Sequence, residues 1–453
     1  MKVLLYFVLL LLSSTYGIRI LRGKLKKDTM RKMSVETKNL FNKQLDKLRK
    51  LNEIMKKKFG IKNVTKESDN DAIESKLKMN PLMYQGDIIL SDKQIDGIIN
   101  ESTNNKKKRS VTNDVTGKWD LKIYYEVEPD VNKKYIQLAL SGIEEETCLK
   151  FIHGKPPKQD KYLRYFKGDG CYSYVGKMPG IGPQDISIGS GCDSIATILH
   201  ETSHALGLYH EMSRSDRDKY ITIKAENIDP RELSNFNIHP ESIATSYNVG
   251  FNYGSIMLYH KYSFSINRNP TIFTNRYEYK RTMGQEGFLK FTDIKMINMH
   301  YCSKICPKQI PCKNGGYPNP KDCVSCLCPR FFTGVHCTDL EESDKFCGDT
   351  YLKAGPKKLF HSLSNKKRCY IKIEAQKGKK IRFTIVTSQL AGLSPCQQDR
   401  GLEVKLLEDK TVSGAMICKI NKNLEMISEG TVILLLYTGI DTQDYVNFSY
   451  EAI

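Results

Sequence analysis

Cysteine is missing from the first 147 residues of this 453-residue chain, and all 14 cysteines fall between Cys148 and Cys418. That contrast excludes a uniform architecture, and the even count permits complete pairing in an oxidising compartment. Long apolar runs are also scarce. The exception is VLLYFVLLLLSST, which follows Met1-Lys2 and precedes the small residue Gly17. It is too short and too early for a membrane anchor and reads as a secretory leader over residues 1–17, so a secreted, extracellular protein with no membrane anchor is expected. Acidic residues are in deficit, 51 against 70 Lys and Arg, giving a formal net charge of +19. Between Ile18 and Arg109 there are 24 Lys and Arg against 12 Asp and Glu, a net of +12; without that segment and Lys2 the remainder carries 45 against 39, or +6. A nucleic-acid binder concentrates its charge in the folded domains, so no nucleic-acid partner is expected.

What is present is organised around HETSHALGLYHE, His200 to Glu211. His200 and His204 stand four apart on one predicted helix face, so both imidazoles reach one point. Glu201 is beside that point. Gly207 suits a left-handed helix end that turns the chain back and brings in His210 as a third nitrogen ligand. Three imidazoles leave one tetrahedral zinc position for water, and Glu201 is the candidate general base. A bare H-E-x-x-H also arises as two surface histidines with a salt-bridging glutamate, but H-E-x-x-H-x-x-G-x-x-H fixes five positions as the metzincin zinc signature. The sequel Glu211-Met212-Ser213-Arg214-Ser215-Asp216-Arg217-Asp218 resembles the continuation found in the astacin family.

That resemblance, to astacin-like zinc metalloendopeptidases and in particular to nematode astacins with EGF-like and CUB domains, implies an α+β fold. Its parts would be a two-lobed catalytic domain with a central zinc helix, a small disulfide-rich module and an all-β sandwich. The implied boundaries are a propeptide over 18–109, a catalytic domain over 110–302, an EGF-like module over 303–338 and a CUB-like domain over 347–453.

Taken in order, Arg19 to Phe59 is Lys-rich with Leu40, Leu45, Leu48 and Leu51 at helical spacing, a solvated amphipathic helix. Tyr84-Gln85-Gly86-Asp87 is similar to the F-x-G-D element with which astacin propeptides set an aspartate on the zinc, which makes Asp87 the latent-state ligand; a loop turn is the alternative reading. Lys106-Lys107-Lys108-Arg109 is either a solvated basic run or a proprotein-convertase site, and its position favours cutting after Arg109. The new terminus near Ser110 would then, as in the family, be buried toward Glu211. Leu121 to Tyr125 alternates as a first strand, Lys134 to Phe151 has helical periodicity ending at Cys148, and Asp185-Ile186-Ser187-Ile188 alternates like a half-buried strand, which the resemblance makes the edge strand that pairs with extended substrate.

Ser255-Ile256-Met257-Leu258-Tyr259 looks like the Met-turn, with Met257 as a hydrophobic floor and Tyr259 as a resting zinc ligand that later hydrogen-bonds the tetrahedral intermediate. Met283-Gly284-Gln285-Glu286 has Glu286 where many astacins carry an arginine that selects acidic residues after the scissile bond, so a weak preference for acidic residues, or a preference for basic ones, is expected there. Six cysteines within thirty-two residues could bind zinc, but the C-x-C spacing, the Asn314-Gly315-Gly316 turn and the secreted context resemble an EGF-like module. The resemblance implies the pairs Cys148–Cys302, Cys171–Cys192, Cys306–Cys323, Cys312–Cys326 and Cys328–Cys337. In the last segment Cys347 would join Cys369, and Cys396 would join Cys418. Runs such as Ile381–Val386, Leu402–Leu406 and Val432–Tyr437 argue for an all-β sandwich similar to a CUB domain. Asp399 matches one CUB calcium-ligand position without an upstream Glu partner. Asn63, Asn100 and Asn447 are glycosylation acceptors.

The expected activity is hydrolysis of internal peptide bonds in extracellular proteins of matrix, cuticle or egg-envelope type. It would use one zinc ion per catalytic domain, with the EGF and CUB modules available for protein contacts. A non-catalytic adhesion protein on an inert protease-like scaffold is the alternative, and intact His200, Glu201, His204, His210 and Tyr259 argue against it.

Overall fold

The computed structural model describes residues 26–27, 29–61, 80, 82–103 and 117–453. The expected leader, Asn63, the basic cluster Lys106 to Arg109 and the start at Ser110 lie outside the described residues. Among those described, no helix is long and apolar enough to cross a membrane.

The N-terminal segment folds onto the rest through α1 (Val35–Lys58). Ser34 caps it by accepting a hydrogen bond from the Thr37 N–H, Glu36 lies in the first turn and Lys56, Lys57 and Lys58 in the last, matching the helix dipole. Its buried stripe is Phe41, Gln44, Leu51 and Met55, while Leu40, Leu45 and Leu48 are only partly buried. A short strand β1 (Ile88–Ile89) and helix α2 (Asp92–Thr103) follow.

Next come β2 (Lys122–Val127), α3 (Lys133–Glu146), β3 (Lys150–His153), β4 (Lys161–Phe166), β5 (Cys171–Tyr174) and β6 (Gly182–Ile188). The sheet order is β1-β5-β6-β4-β2-β3, with β5 antiparallel to β6 and the other pairs parallel. Two expectations need correction. Helix α3 stops at Glu146, because Thr147 is extended (φ −133°, ψ 173°) and the Cys148–Cys302 disulfide redirects the chain, leaving Phe151 in β3. The Asp185 to Ile188 strand is interior, between β4 and β5; the edge of the catalytic sheet is β5, and β1 covers it. The alternation misled because the polar positions are buried as well: Asp185 accepts hydrogen bonds from the Ser34 N–H and the Thr37 hydroxyl, both 2.9 Å, and from Arg164 at 2.8 Å.

Helix α4 (Ile195–Ala205) precedes a long irregular region that contains only the pair β7 (Ile221–Ile223) and β8 (Ile272–Thr274) and short 3-10 turns, and α5 (Phe291–Tyr301) ends it at Cys302. Two small hairpins follow, β9 (Tyr317–Pro318) with β10 (Cys326–Leu327) and β11 (Phe332–Thr333) with β12 (Asp339–Leu340). Three disulfides hold them: Cys306–Cys323, Cys312–Cys326 and Cys328–Cys337.

The remainder is two packed sheets. Their strands are β13 (Tyr351–Ala354), β14 (Leu359–Ser364), β15 (Lys367–Ala375), β16 (Ile381–Leu390), β17 (Gly401–Lys405), β18 (Ala415–Ile417), β19 (Lys419–Ile427), β20 (Val432–Gly439) and β21 (Tyr445–Ala452). One sheet runs β13-β15-β20-β17-β18 and the other β14-β21-β16-β19. Cys347–Cys369 and Cys396–Cys418 are bonded. Asp399 already has cations on its carboxylate, Arg330 at 2.7 Å and Arg368 at 2.8 Å. One apolar cluster continues from Phe251, Tyr253 and Tyr279 into Val404 and Ala415 of the sandwich.

Candidate active site

Ser194 starts α4 by accepting a hydrogen bond from the Thr197 N–H (3.1 Å), and Ile198 and Leu199 bury its apolar face. The helix ends where Gly207 takes φ +105°, a conformation that a side chain would strain, with its N–H on the His204 carbonyl at 2.8 Å. The turn that follows is used twice. Leu208, just beyond it, offers its carbonyl to the Nδ1 of His204 (2.7 Å), and His210 then swings in to face the helix. The Nδ1 of His200 bonds the Ile256 carbonyl (2.8 Å), and that of His210 bonds the Gln85 side-chain Oε1 (2.8 Å).

Each Nδ1 therefore carries the proton and each Nε2 is left with a bare lone pair. The Nε2 of His200 is 3.2 Å from that of His204 and 3.3 Å from that of His210. Asp87 adds a carboxylate, with Oδ2 at 3.2 Å from the Nε2 of His200 and 3.1 Å from that of His210. One ligand atom from each of the four residues lies within 4.8 Å of the others. Burial pushes the pKa of both His204 and His210 down, keeping them neutral. Converging lone pairs and a buried Asp87 Oδ1 without a hydrogen-bond partner among the described residues suit a cation, and a nitrogen-rich set with one carboxylate suits zinc.

Glu201 is buried beside this cluster and its Oε2 has no hydrogen-bond partner among the described residues. Burial, and after it the Asp87 charge, raises its proton affinity. Met257 is buried with Ile198, Leu199 and Leu208; its turn is held by its own N–H on the Ser255 hydroxyl (3.0 Å) and by that hydroxyl on Asp293 (2.7 Å). The Tyr259 hydroxyl donates to the Gln85 backbone carbonyl at 2.6 Å, so in this state the N-terminal segment occupies it. Gly284, Gln285 and Glu286 wall the remaining cavity of about 140 Å³, with Glu286 exposed at its rim. Behind His210 lies a second cavity of about 290 Å³ lined by Glu211, whose Oε1 accepts the Asn252 N–H at 2.7 Å and whose pKa burial pushes up to about 7. Of the two described glycosylation candidates, Asn100 is exposed on α2 and Asn447 half-buried on β21.

Sequence reasoning missed how completely Gln85 is wired. It is fully buried at φ +53°, and besides meeting His210 and Tyr259 it donates its N–H to the Asn235 side chain at 2.8 Å. The Tyr84 hydroxyl, where the resembling motif has phenylalanine, lies 3.1 Å from the His239 Nε2. Neither Asn235 nor His239 belongs to a motif, so no pattern in the sequence marks them.

Comparison with known proteins is consistent with this geometry. The sequence profile of the astacin peptidase family matches residues 111–302. The zinc metalloproteinase nas-34 of Caenorhabditis elegans is 33% identical over 91% of this chain and 71% of its own length. The zinc metalloproteinase nas-37 of the same organism is 34% identical over 83% of this chain, which spans 49% of that protein. Among solved structures, high choriolytic enzyme 1, a hatching-enzyme zinc protease from Oryzias latipes, aligns with 40% of this chain and 88% of its own at 32% identity and a TM-score of 0.37.

Proposed function

The chain belongs to the astacin family of zinc metalloendopeptidases, and from that premise we propose that it is exported as a latent precursor and cleaves internal peptide bonds of extracellular proteins. The observation that carries the reading is the convergence of three bare Nε2 atoms, each fixed by an Nδ1 hydrogen bond, beside Glu201, whose Oε2 has no hydrogen-bond partner among the described residues. His200, His204 and His210 would hold zinc, which when bound would supply Lewis acidity toward the scissile carbonyl and a water molecule. Glu201 takes the proton from that water and passes it to the leaving amine, a role its buried position and raised proton affinity suit. Tyr259, released from Gln85, donates its hydroxyl to the developing oxyanion. Glu286 at the rim favours basic residues, and disfavours acidic ones, after the scissile bond.

Latency has its own support. Asp87 sits among the imidazoles, β1 lies along the β5 edge that an extended substrate would need, and Gln85 holds Tyr259. A proprotein convertase cutting after Arg109 would free all three. The new terminus near Ser110 would then enter the cavity lined by Glu211. The disulfide-held hairpins suit an EGF-like module and the two packed sheets a CUB-like domain, both available for protein contacts. Substrates of matrix, cuticle or egg-envelope type, and glycans at Asn100 and Asn447, complete the proposal. Its test is hydrolysis of an unbiased peptide library by the chain cut after Arg109, with Glu201→Ala and a chelator alongside. Loss of the base is expected to lower the rate by about 10²–10⁴-fold. An unchanged rate in Glu201→Ala would refute the assigned chemistry.

A further inference from the structure

The wall of the cleft at Gly284 to Glu286 does not stand on the catalytic domain alone. Gln285, 6% exposed, donates its side-chain amide to the main-chain carbonyl of Cys396 in the sandwich. The Cys396 N–H returns to the Arg281 carbonyl at 2.8 Å, and the Arg281 guanidinium reaches the Cys418 carbonyl, also at 2.8 Å. Cys396 and Cys418 are themselves bonded and fully buried, so the segment from 281 to 285 grips both ends of one disulfide. Further along, Lys290 donates to the Gln398 side chain at 2.5 Å. Both carbonyl acceptors are backbone atoms, Cys396 in the loop between β16 and β17 and Cys418 between β18 and β19, and the Arg281 guanidinium also donates to the Asn421 side chain at 3.1 Å. Behind the hydrogen bonds the apolar cluster is continuous between the two units, which makes the junction stiff.

We propose that the loop over residues 391–400, together with the Cys418 turn to which its disulfide ties it, is a built-in part of the substrate cleft: it positions Gln285 and Glu286, and so sets the cleft's selection of residues after the scissile bond. Arg281 and Gln398 are positioning residues in this scheme, acting through the wall and touching no substrate. The inference goes beyond the peptidase reading but rests on its assignment of Glu286 to the cleft.

The experiment uses the full-length chain activated after Arg109, with Arg281→Met and Gln398→Ala, followed by zinc content, thermal unfolding, kcat and KM on one cleaved peptide, and the library cleavage profile. Arg281→Met is expected to lower kcat/KM by about tenfold, the loss that one hydrogen bond from a charged group converts to. The loss should fall in KM, with a broadened preference after the scissile bond and unchanged zinc. Gln398→Ala should shift KM and profile in the same direction by roughly threefold. A lowered unfolding midpoint with KM and profile both unchanged overturns the inference, because a merely structural junction does that. If Arg281→Met does not fold, Gln398→Ala decides alone by the same criterion. A wild-type chain that cleaves nothing removes the peptidase reading instead, a failure seen before any variant is compared.

Discussion

The cleft is closed on one side by the N-terminal segment and backed on another by the C-terminal sandwich, and the two differ in how they are secured. The N-terminal segment carries no cysteine; it is held through a carboxylate at the candidate metal cluster, a two-residue strand, buried polar contacts such as Thr37 with Asp185, and apolar clusters that place Phe41 with Phe166 and Tyr172 and Leu51 with Val175. The sandwich has two disulfides of its own and shares an apolar cluster with the catalytic domain. Polar and metal contacts depend on a continuous chain to keep their effective concentration high, so one cut weakens all of them together. The sandwich stays on the same chain as the catalytic domain after a cut at Arg109, so its contacts keep their effective concentration. Under the proposed latency, the first neighbour is the removable one and the second the permanent one.

The comparison is broken most severely at Asp87. With Asp87→Ala the uncut precursor loses its direct hold on the metal while Gln85 and α1 stay in place, and peptide hydrolysis by the uncut chain is expected to rise on the order of a hundredfold, the shift in open population that about 2.7 kcal/mol produces. A rise equal to complete processing would mean that the other contacts contribute nothing to closure.

On the permanent side, Arg330 reaches from the hairpin module to Glu403, 3% exposed at its side chain, at 2.8 Å, and to Asp399. Arg330→Met is expected to cost about 2 kcal/mol in denaturant unfolding, because Glu403 stays buried without that partner, and latency should not change. Precursor leakage in this variant would contradict the division between the two flanks.

The effect visible over the narrowest range of conditions is a pH dependence in the sandwich. Lys405 is buried over the Phe331 ring, and burial pushes its pKa down to about 8. Below that pH both folded and unfolded chains hold the proton, and the folded state bears the full cost of a buried ammonium. Between about pH 8 and the unfolded value near 10.4 the unfolded chain binds more protons, so stability rises with pH. Unfolding midpoints of Lys405→Met against wild type should shift in favour of wild type across that window. A constant difference would show that the ammonium carries no such cost.

How much of this was legible beforehand follows the same division. The zinc helix could be read because a metal demands fixed residue types at fixed spacing, and His200, Glu201, His204 and His210 supply them in eleven residues. The sandwich strands announced themselves by alternation at Ile381, Leu402 and Val432. The interior place of Asp185 to Ile188 was not legible: alternation reports polarity, and here a distant segment buries the polar side with Ser34 and Thr37. Gln85, Asn235 and His239 were equally hidden, since their partners lie some 125 to 174 residues away. The grip of Arg281 and Gln285 on the Cys396–Cys418 bridge uses backbone acceptors, which leave no mark in a sequence.

The most direct test of the central claim is to follow hydrolysis of one library-derived peptide by the zinc-loaded precursor before and after cutting at Arg109, in a single preparation. The expected record is near silence, then a rise on cutting that a chelator abolishes and added zinc restores. A zinc-loaded, correctly cut chain that leaves every internal peptide bond intact would contradict it.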